Sequence, residues 1–375
     1  MKKIWITIGL ITVVVLVILL AVTQTKKEPS EIKIGSILSL TGRGAKFGID
    51  SKNAIDLAVE KINTSNEYPF TLKVIYEDDK GESSTAVSAL RKLIEVDNVP
   101  VIVGFILSNN ALACAPIAES KKVNLLITNA SAEKIKDAGD YIFRIRETAA
   151  TNGKEMAKYS RDTLNVNTSA ILYANAENGV SYAQAFRDKS IELGGKILLS
   201  EAFEEGEKDF RSLILKIKEK DPEAVYLAGL SPEMGQILYQ SKEQGFRPKF
   251  WLGSSGAEDP MLIEIAKEGA EDLIISSPPF DLYSEDENVQ NFVKKYKAKY
   301  NYEPGPPGAN AYDAIYIIAE VIKKYGKTAD DIKRGLYQVK NYNGVGGNIT
   351  IDEFGEVQRP VLFKKVINGR FEIIR

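Results

Sequence analysis

The side chains that do covalent chemistry in proteins are scarce in this sequence. Its 375 residues include no histidine and a single cysteine, Cys114. Without histidine there is no Ser-His or Cys-His nucleophile pair, no imidazole base and no His-ligated metal. One cysteine makes no intrachain disulfide, thiolate zinc cluster or CxxC pair. Cys114 falls on an apolar helix face and reads as a small core residue. Asp78-Asp79 could be read as a paired acid and base, but turn chemistry at a helix start accounts for it better. The Gly42–Gly48 stretch misses the GxGxxG spacing by one residue, and no Walker A sequence occurs. No cofactor, metal or nucleotide is expected, and the protein is read as a non-enzyme. With 49 Lys and Arg against 51 Asp and Glu, the net charge of −2 offers no basic footprint for nucleic acid. The groups left for function are Ser, Asn and Gly at the ends of apolar runs. Such positions suit the non-covalent capture of a carboxylate or another small anion.

The elements that would carry those groups follow a βαβ rhythm. The runs Ile32–Leu38, Phe70–Tyr76, Pro100–Ile106 and Val123–Thr128 read as buried parallel strands. Ala54, Ile55, Ala58, Val59 and Ile62 recur at helical spacing between them, as do Ala86, Ala89, Leu90, Leu93 and Ile94. The order restarts with strand-like runs near Thr168, Lys196, Ala224 and Lys249. This predicts an α/β protein of two Rossmann-like lobes, each built on a mostly parallel sheet. After Pro278-Pro279, Glu287–Tyr300, Ala309–Tyr325 and Thr328–Asn341 read as helices. Asn348–Asp352 and Val361–Val366 read as a terminal strand pair joined through Glu353-Phe354-Gly355. The expected division is residues 31–148 with 277–345 in the first lobe and 149–276 with 346–375 in the second. Several crossovers would form the hinge.

Residues 1–30 form a separate unit. Lys2 and Lys3 precede a nearly unbroken apolar stretch, Ile4 to Val22. As a helix this spans roughly 28 Å, close to the hydrocarbon thickness. It is longer than a signal-peptide core, and Ala21-Val22-Thr23 is a poor cleavage site. We read an uncleaved N-terminal transmembrane helix, a signal anchor, with the body outside the cytoplasm.

In open parallel sheets, ligands bind beyond the carboxyl ends of the strands, so two facing lobes enclose a cleft. The strand ends of the first lobe are Leu38–Gly48, Ser108–Asn110 and Asn129–Ala132. Those of the second are Asn175–Ser181, Leu230–Glu233 and Ser254–Glu258.

Taken in order, these residues resemble the type I periplasmic binding proteins of ABC transporters, in the leucine/isoleucine/valine-binding branch. The resemblance runs from Ile32 to Arg375. It is carried by Ile34-Gly35-Ser36, Leu40-Thr41-Gly42, Phe47-Gly48, Tyr76-Glu77-Asp78-Asp79 and Val103-Gly104 with Ser108. Thr128-Asn129-Ala130-Ser131-Ala132, Glu207-Lys208-Asp209-Phe210, Pro232–Leu238, Ala311–Ala314 and Ile349–Asp352 continue it. It implies a hinged monomeric receptor that closes on an amino acid or similar small solute and delivers it to an ABC permease. By the same resemblance, Ser108 with Asn109 would hold a carboxylate, Ala130 and Ser131 the polar head, and Phe47 the side chain. The second lobe departs from the family pattern. A tyrosine position falls at Leu230, Tyr-Gly becomes Asn178-Gly179, and the acidic residue that accepts an ammonium falls near Ser255. Either Glu258, Asp259 or Glu177 replaces that charge, or the ligand is not an α-amino acid, because an unpaired buried ammonium is costly. Each residue also has a plainer reading: Ser108 as a helix cap, Ala130 and Ser131 as loop, Phe47 as core. A membrane-anchored sensor ectodomain is the competing function, and an enzyme the remote one.

Overall fold

The computed structural model describes residues 30–374, so the expected membrane segment lies outside the described residues. Within them the predicted alternation is present twice. The first sheet holds β1 (Ser30–Leu38), β2 (Phe70–Asp78), β3 (Val101–Gly104), β4 (Asn124–Ile127) and β5 (Ile142–Arg144) in the order β2-β1-β3-β4-β5, all parallel. The second uses β6 (Thr168–Ala174), β7 (Lys196–Phe203), β8 (Ala224–Ala228), β9 (Phe250–Gly253) and β10 (Ile274–Ser277) in the order β7-β6-β8-β9-β10. The two orders are the same topology. β5 and β10 were not foreseen, because three or four apolar residues between charged neighbours give little periodicity to read.

Helices cover both faces of each sheet. On the first, α1 (Ala45–Thr64) packs Ala54, Ile55, Ala58 and Ile62 into a core with the strands. On the other face, α2 (Ser83–Glu95) and α3 (Ser108–Lys121) bury Ala86, Leu90, Leu93, Cys114 and Ala118. Burial pushes the Cys114 thiol up to about 12, so it behaves as a small apolar side chain. In the second lobe α4 (Ala149–Asp162) and α5 (Glu177–Glu192) cover one face. The other is covered by α6 (Arg211–Lys220), α7 (Ser231–Glu243) and α8 (Pro260–Ala266).

The chain passes between lobes three times, the first at Ile145–Thr148, between β5 and α4. The second follows β10, and α9 (Glu287–Tyr300), α10 (Pro306–Tyr325) and α11 (Ala329–Leu336) return to the first lobe, where Phe292, Ile315, Ile318 and Ile332 join its core. The expected terminal strand pair is corrected. β11 (Tyr342–Gly344) pairs with β12 (Gly347–Ile349), and β13 (Leu362–Ile367) pairs with β14 (Arg370–Ile374), both antiparallel. Two tight turns decide this. Gly347 has φ 101°, and Asn368-Gly369 adopts φ 51° and 71°, the left-handed pair that two-residue hairpins require. Ile349, Ile351 and Val357 pack in the first core. The third passage therefore lies between Val357 and Leu362, later than the expected boundary at 345, and β13 then pairs with β10.

Two buried aspartates hold the returning segment. Asp50 of α1 accepts Gly305 N–H at 3.0 Å and Gly308 N–H at 2.9 Å, so a side chain from the sheet's own helix caps α10. It also accepts the Tyr296 hydroxyl at 2.6 Å. Desolvation raises its pKa to about 6 against these bonds. Asp313 of α10 accepts Val345 N–H and Gly346 N–H at 2.8 Å each and so fixes the β11–β12 turn.

Burial also raises Asp313, to about 7, with the two backbone donors and Arg359 opposing. An unfolded aspartate titrates near 3.9. The folded protein therefore holds more protons between those values. The stability that the protonated form contributes is complete below about pH 4 and is lost as pH rises through about 7. Relative to Asp313→Asn, the native protein should thus gain unfolding free energy as pH falls from 8 to 5, read from urea denaturation at each pH. A difference that stays constant with pH would refute this.

Candidate functional site

In each sheet the chain leaves the two central neighbours, β1 and β3 or β6 and β8, toward opposite faces. A crevice opens at that switch point. The two crevices face each other. The turn after β3 shows how tightly one is built. At Gly104 (φ 138°) an added Cβ would lie 2.3 Å from Ile37 O, so only glycine fits. Phe105 follows at φ 64°, donates its N–H to Ile37 O at 2.9 Å and accepts Ala130 N–H at 2.9 Å. This sharp bend starts α3 at Ser108 with its first backbone N–H groups at the crevice. No side chain caps them. Gly48 is constrained in the same way, since a Cβ there would sit 1.9 Å from Ser39 O, where α1 begins against the end of β1.

Between the lobes lies a cavity of about 50 Å³. Of the candidate residues, Phe47, Ser108, Ser131, Asn178, Leu230, Ser255 and Glu258 line it. At about 10–15 Å³ per water it would hold roughly four, so the cleft is nearly shut. A wider groove of about 580 Å³ adjoins it and shares Phe47, Glu258, Pro306 and Pro307. Its walls mix apolar residues such as Ile263, Leu282 and Phe371 with Lys297, Tyr302 and Glu303.

Two predicted residues are placed elsewhere. Ala130 is buried, does not line the cavity, and spends its N–H on Phe105 O; its neighbour Asn129 lines the cavity instead. Asn109 accepts Glu177 N–H at 3.3 Å and so bridges the lobes at the rim. Ser108 has a structural task as well. Its Oγ accepts Ser131 N–H and Ala132 N–H at 3.1 Å each, leaving its proton to donate.

Arg146 and Tyr182 also line the cavity, and sequence reasoning missed both. Arg146 lies on the first passage between lobes, its side chain 8% exposed. Nε donates to Glu147 O at 3.1 Å and Nη1 to Asn129 O at 2.9 Å. Nη2 donates to Glu147 Oε1 at 2.9 Å and to Ser255 Oγ at 3.1 Å. Desolvation works most strongly against the guanidinium charge, and Glu147 and Tyr182 together outweigh it, raising the pKa. Tyr182 hydrogen-bonds Ser255 through its hydroxyl at 2.7 Å. The signal for Arg146 was present in the sequence. Arg144 and Arg146 alternate with Ile142, Phe143 and Ile145 in an apolar run. Arg144 itself is fully buried, donating to Glu356 and, at 2.7 Å, to Ala132 O.

The three acidic candidates for the missing charge are all engaged. Glu258 pairs with the buried Lys364 and accepts the Ser277 hydroxyl. Asp259 caps α8 through Met261 N–H at 2.9 Å and accepts the Ser231 hydroxyl. Glu177 pairs with Lys134 at 2.9 Å across the rim. On another part of the rim Arg43 of the first lobe reaches Glu205 and, at 3.4 Å, Glu233 of the second. The Asp78-Asp79 pair is a turn device. Asp78 accepts Leu40, Thr41 and Lys80 N–H groups, and Asp79 accepts Gly81 N–H.

Known proteins share this architecture. A leucine-binding protein from Thermotoga maritima superposes with a TM-score of 0.87 at 27% identity, covering 92% of this chain and 98% of that one. A branched-chain amino acid transporter substrate-binding protein from Streptococcus pneumoniae, in complex with isoleucine, gives 0.86 at 26% over 92% and 99%. In sequence, the leucine-, isoleucine-, valine-, threonine- and alanine-binding protein of Pseudomonas aeruginosa is 26% identical over 87% of each chain. The family profile described as periplasmic binding protein matches residues 31–370, nearly the whole described chain. With two lobes of one topology closed over a shared cavity, and that match along its length, the chain belongs to the periplasmic binding protein family.

Proposed function

We propose that this protein is an extracytoplasmic solute receptor. It captures an amino acid or a similar small carboxylate or amide by lobe closure and passes it to an ABC permease. The cavity between the two switch points carries the reading. Its polar wall offers the uncapped first turn of α3 and the hydroxyls of Ser108 and Ser131, a donor set suited to a carboxylate. Leu230, Phe47 and Ile106 offer an apolar wall for the rest of the solute. The amino-acid relatives named above support the solute class. Residues 4–22 would tether the receptor to the membrane, and residues 30–144 with about 287–357 would move as one lobe against the remainder.

The reading is tested by melting the protein against a panel of amino acids, their deaminated acids and small amides. Ligand at about 1,000 times its dissociation constant adds about 4 kcal/mol. A melting point unmoved by every compound would sink the proposal. Ser131→Ala should weaken binding about tenfold with little change in stability. Ser108→Ala should instead lower stability by about 1–3 kcal/mol, because it strands two buried backbone donors. Arg43→Gln cuts the rim contact, which is partly exposed. It should lower the ligand-free unfolding free energy by about 1–3 kcal/mol, because Glu233 is left buried without its cation, and speed ligand release several-fold in stopped-flow dissociation.

A further inference from the structure

A ligand ammonium needs acceptors, and the cavity has already spent its strongest ones. Asn129 O and Ser255 Oγ, from residues that line the cavity, each receive a proton from Arg146. Glu258, the one carboxylate lining the cavity, is neutralised by Lys364, whose side chain is 6% exposed. Arg146 thus occupies, with a cation of the protein's own, the place in the cleft where a ligand cation would find partners. Glu147, which balances the Arg146 charge, does not line the cavity, so a ligand ammonium there would meet the guanidinium and not that carboxylate.

The surplus is on the donor side. A guanidinium has five N–H groups, and the four bonds of Arg146 leave one, on Nη1, for the cavity it lines. The hydroxyl protons of Ser108 and Ser131 and the first turn of α3 add donors of the same sense. Tyr182 and Ser255 share one hydrogen bond, so one hydroxyl proton of that pair stays mobile.

We infer that the solute is a carboxylate without an ammonium group, such as a 2-oxo or aryl acid, and that Arg146 selects against α-amino acids. The inference rests on the solute-receptor reading and narrows it. Arg146 acts here as a ligand-facing cation that also joins the lobes, through Asn129 on one side and Ser255 on the other.

The experiment is calorimetric titration of the full protein with L-leucine and with 4-methyl-2-oxopentanoate, which share a carbon skeleton and differ in the ammonium. The oxo acid is expected to bind at least about tenfold more tightly, as one charge-assisted hydrogen bond implies. Leucine binding equally or better would overturn the anion assignment and leave the receptor intact. If neither these two nor any member of the wider acid and amino-acid panel binds, the receptor reading itself falls, and this inference with it. A second variant separates charge from folding. Arg146→Met with Glu147→Gln removes both partners of the buried pair, which costs little stability when the replacement packs well. With a melting point near the native one, the double variant should lose about 10- to 100-fold in oxo-acid affinity. It should also lose the preference over leucine. Retention of that preference would overturn the role of Arg146.

Discussion

A guanidinium buried at the junction of two moving bodies must find acceptors from both, or remain uncompensated at a cost of several kcal/mol. Arg146 meets this constraint with one carbonyl from the first lobe, one hydroxyl from the second and two oxygens of Glu147 beside it. Closure exchanges water on Nη2 for Ser255, an exchange close to neutral in free energy. In a receptor that closes on its solute, the bound solute has to favour the shut form over the open one. A ligand can shift such an equilibrium only by its differential affinity for the two forms. A cavity whose walls come half from each lobe provides that differential.

The repeated topology explains why both walls are polar in the same way. Each sheet places a switch point and helix starts at the cleft, α3 from the first lobe and α5 and α7 from the second. The rim contacts then set the edge of the closed form. Arg43 with Glu205 and Glu233 lies on one part, and Lys134 with Glu177 and Asn109 with the Glu177 N–H on another. Lys134 with Glu177 is exposed enough to be weak singly, which suits a contact that must break in each cycle.

The strands and helices with four or more apolar residues in period were legible in the sequence, as was the cleft at their carboxyl ends. Most of the cavity residues followed from that, since position on a strand end is a property of topology. What was not legible had local causes. The Asn368-Gly369 turn draws the C-terminus back on itself, and Gly347 does the same for β11 and β12. Two apolar runs flanking Glu353-Phe354-Gly355 looked like each other's partners, although each pairs with a nearer strand. Ala130 came from the family resemblance alone, since small loop residues carry no periodic signal that would place them at the cavity. Arg146 was overlooked because charged residues between β5 and α4 look like any solvated turn until Glu147, Asn129 and Ser255 are seen around it.

The returning segment has a consequence for how the molecule is made. Asp50 waits for partners 255 and 258 residues later in the chain, and α1 waits for α10 to cover it. Contacts of such sequence separation form slowly, because the chain must close a long loop before it gains from them. The first lobe, though synthesised first, cannot finish its core until Val357 has emerged. The order of residues therefore leaves this core of the first lobe open until nearly the whole chain has been made, although the second lobe's five parallel strands are complete by Ser277.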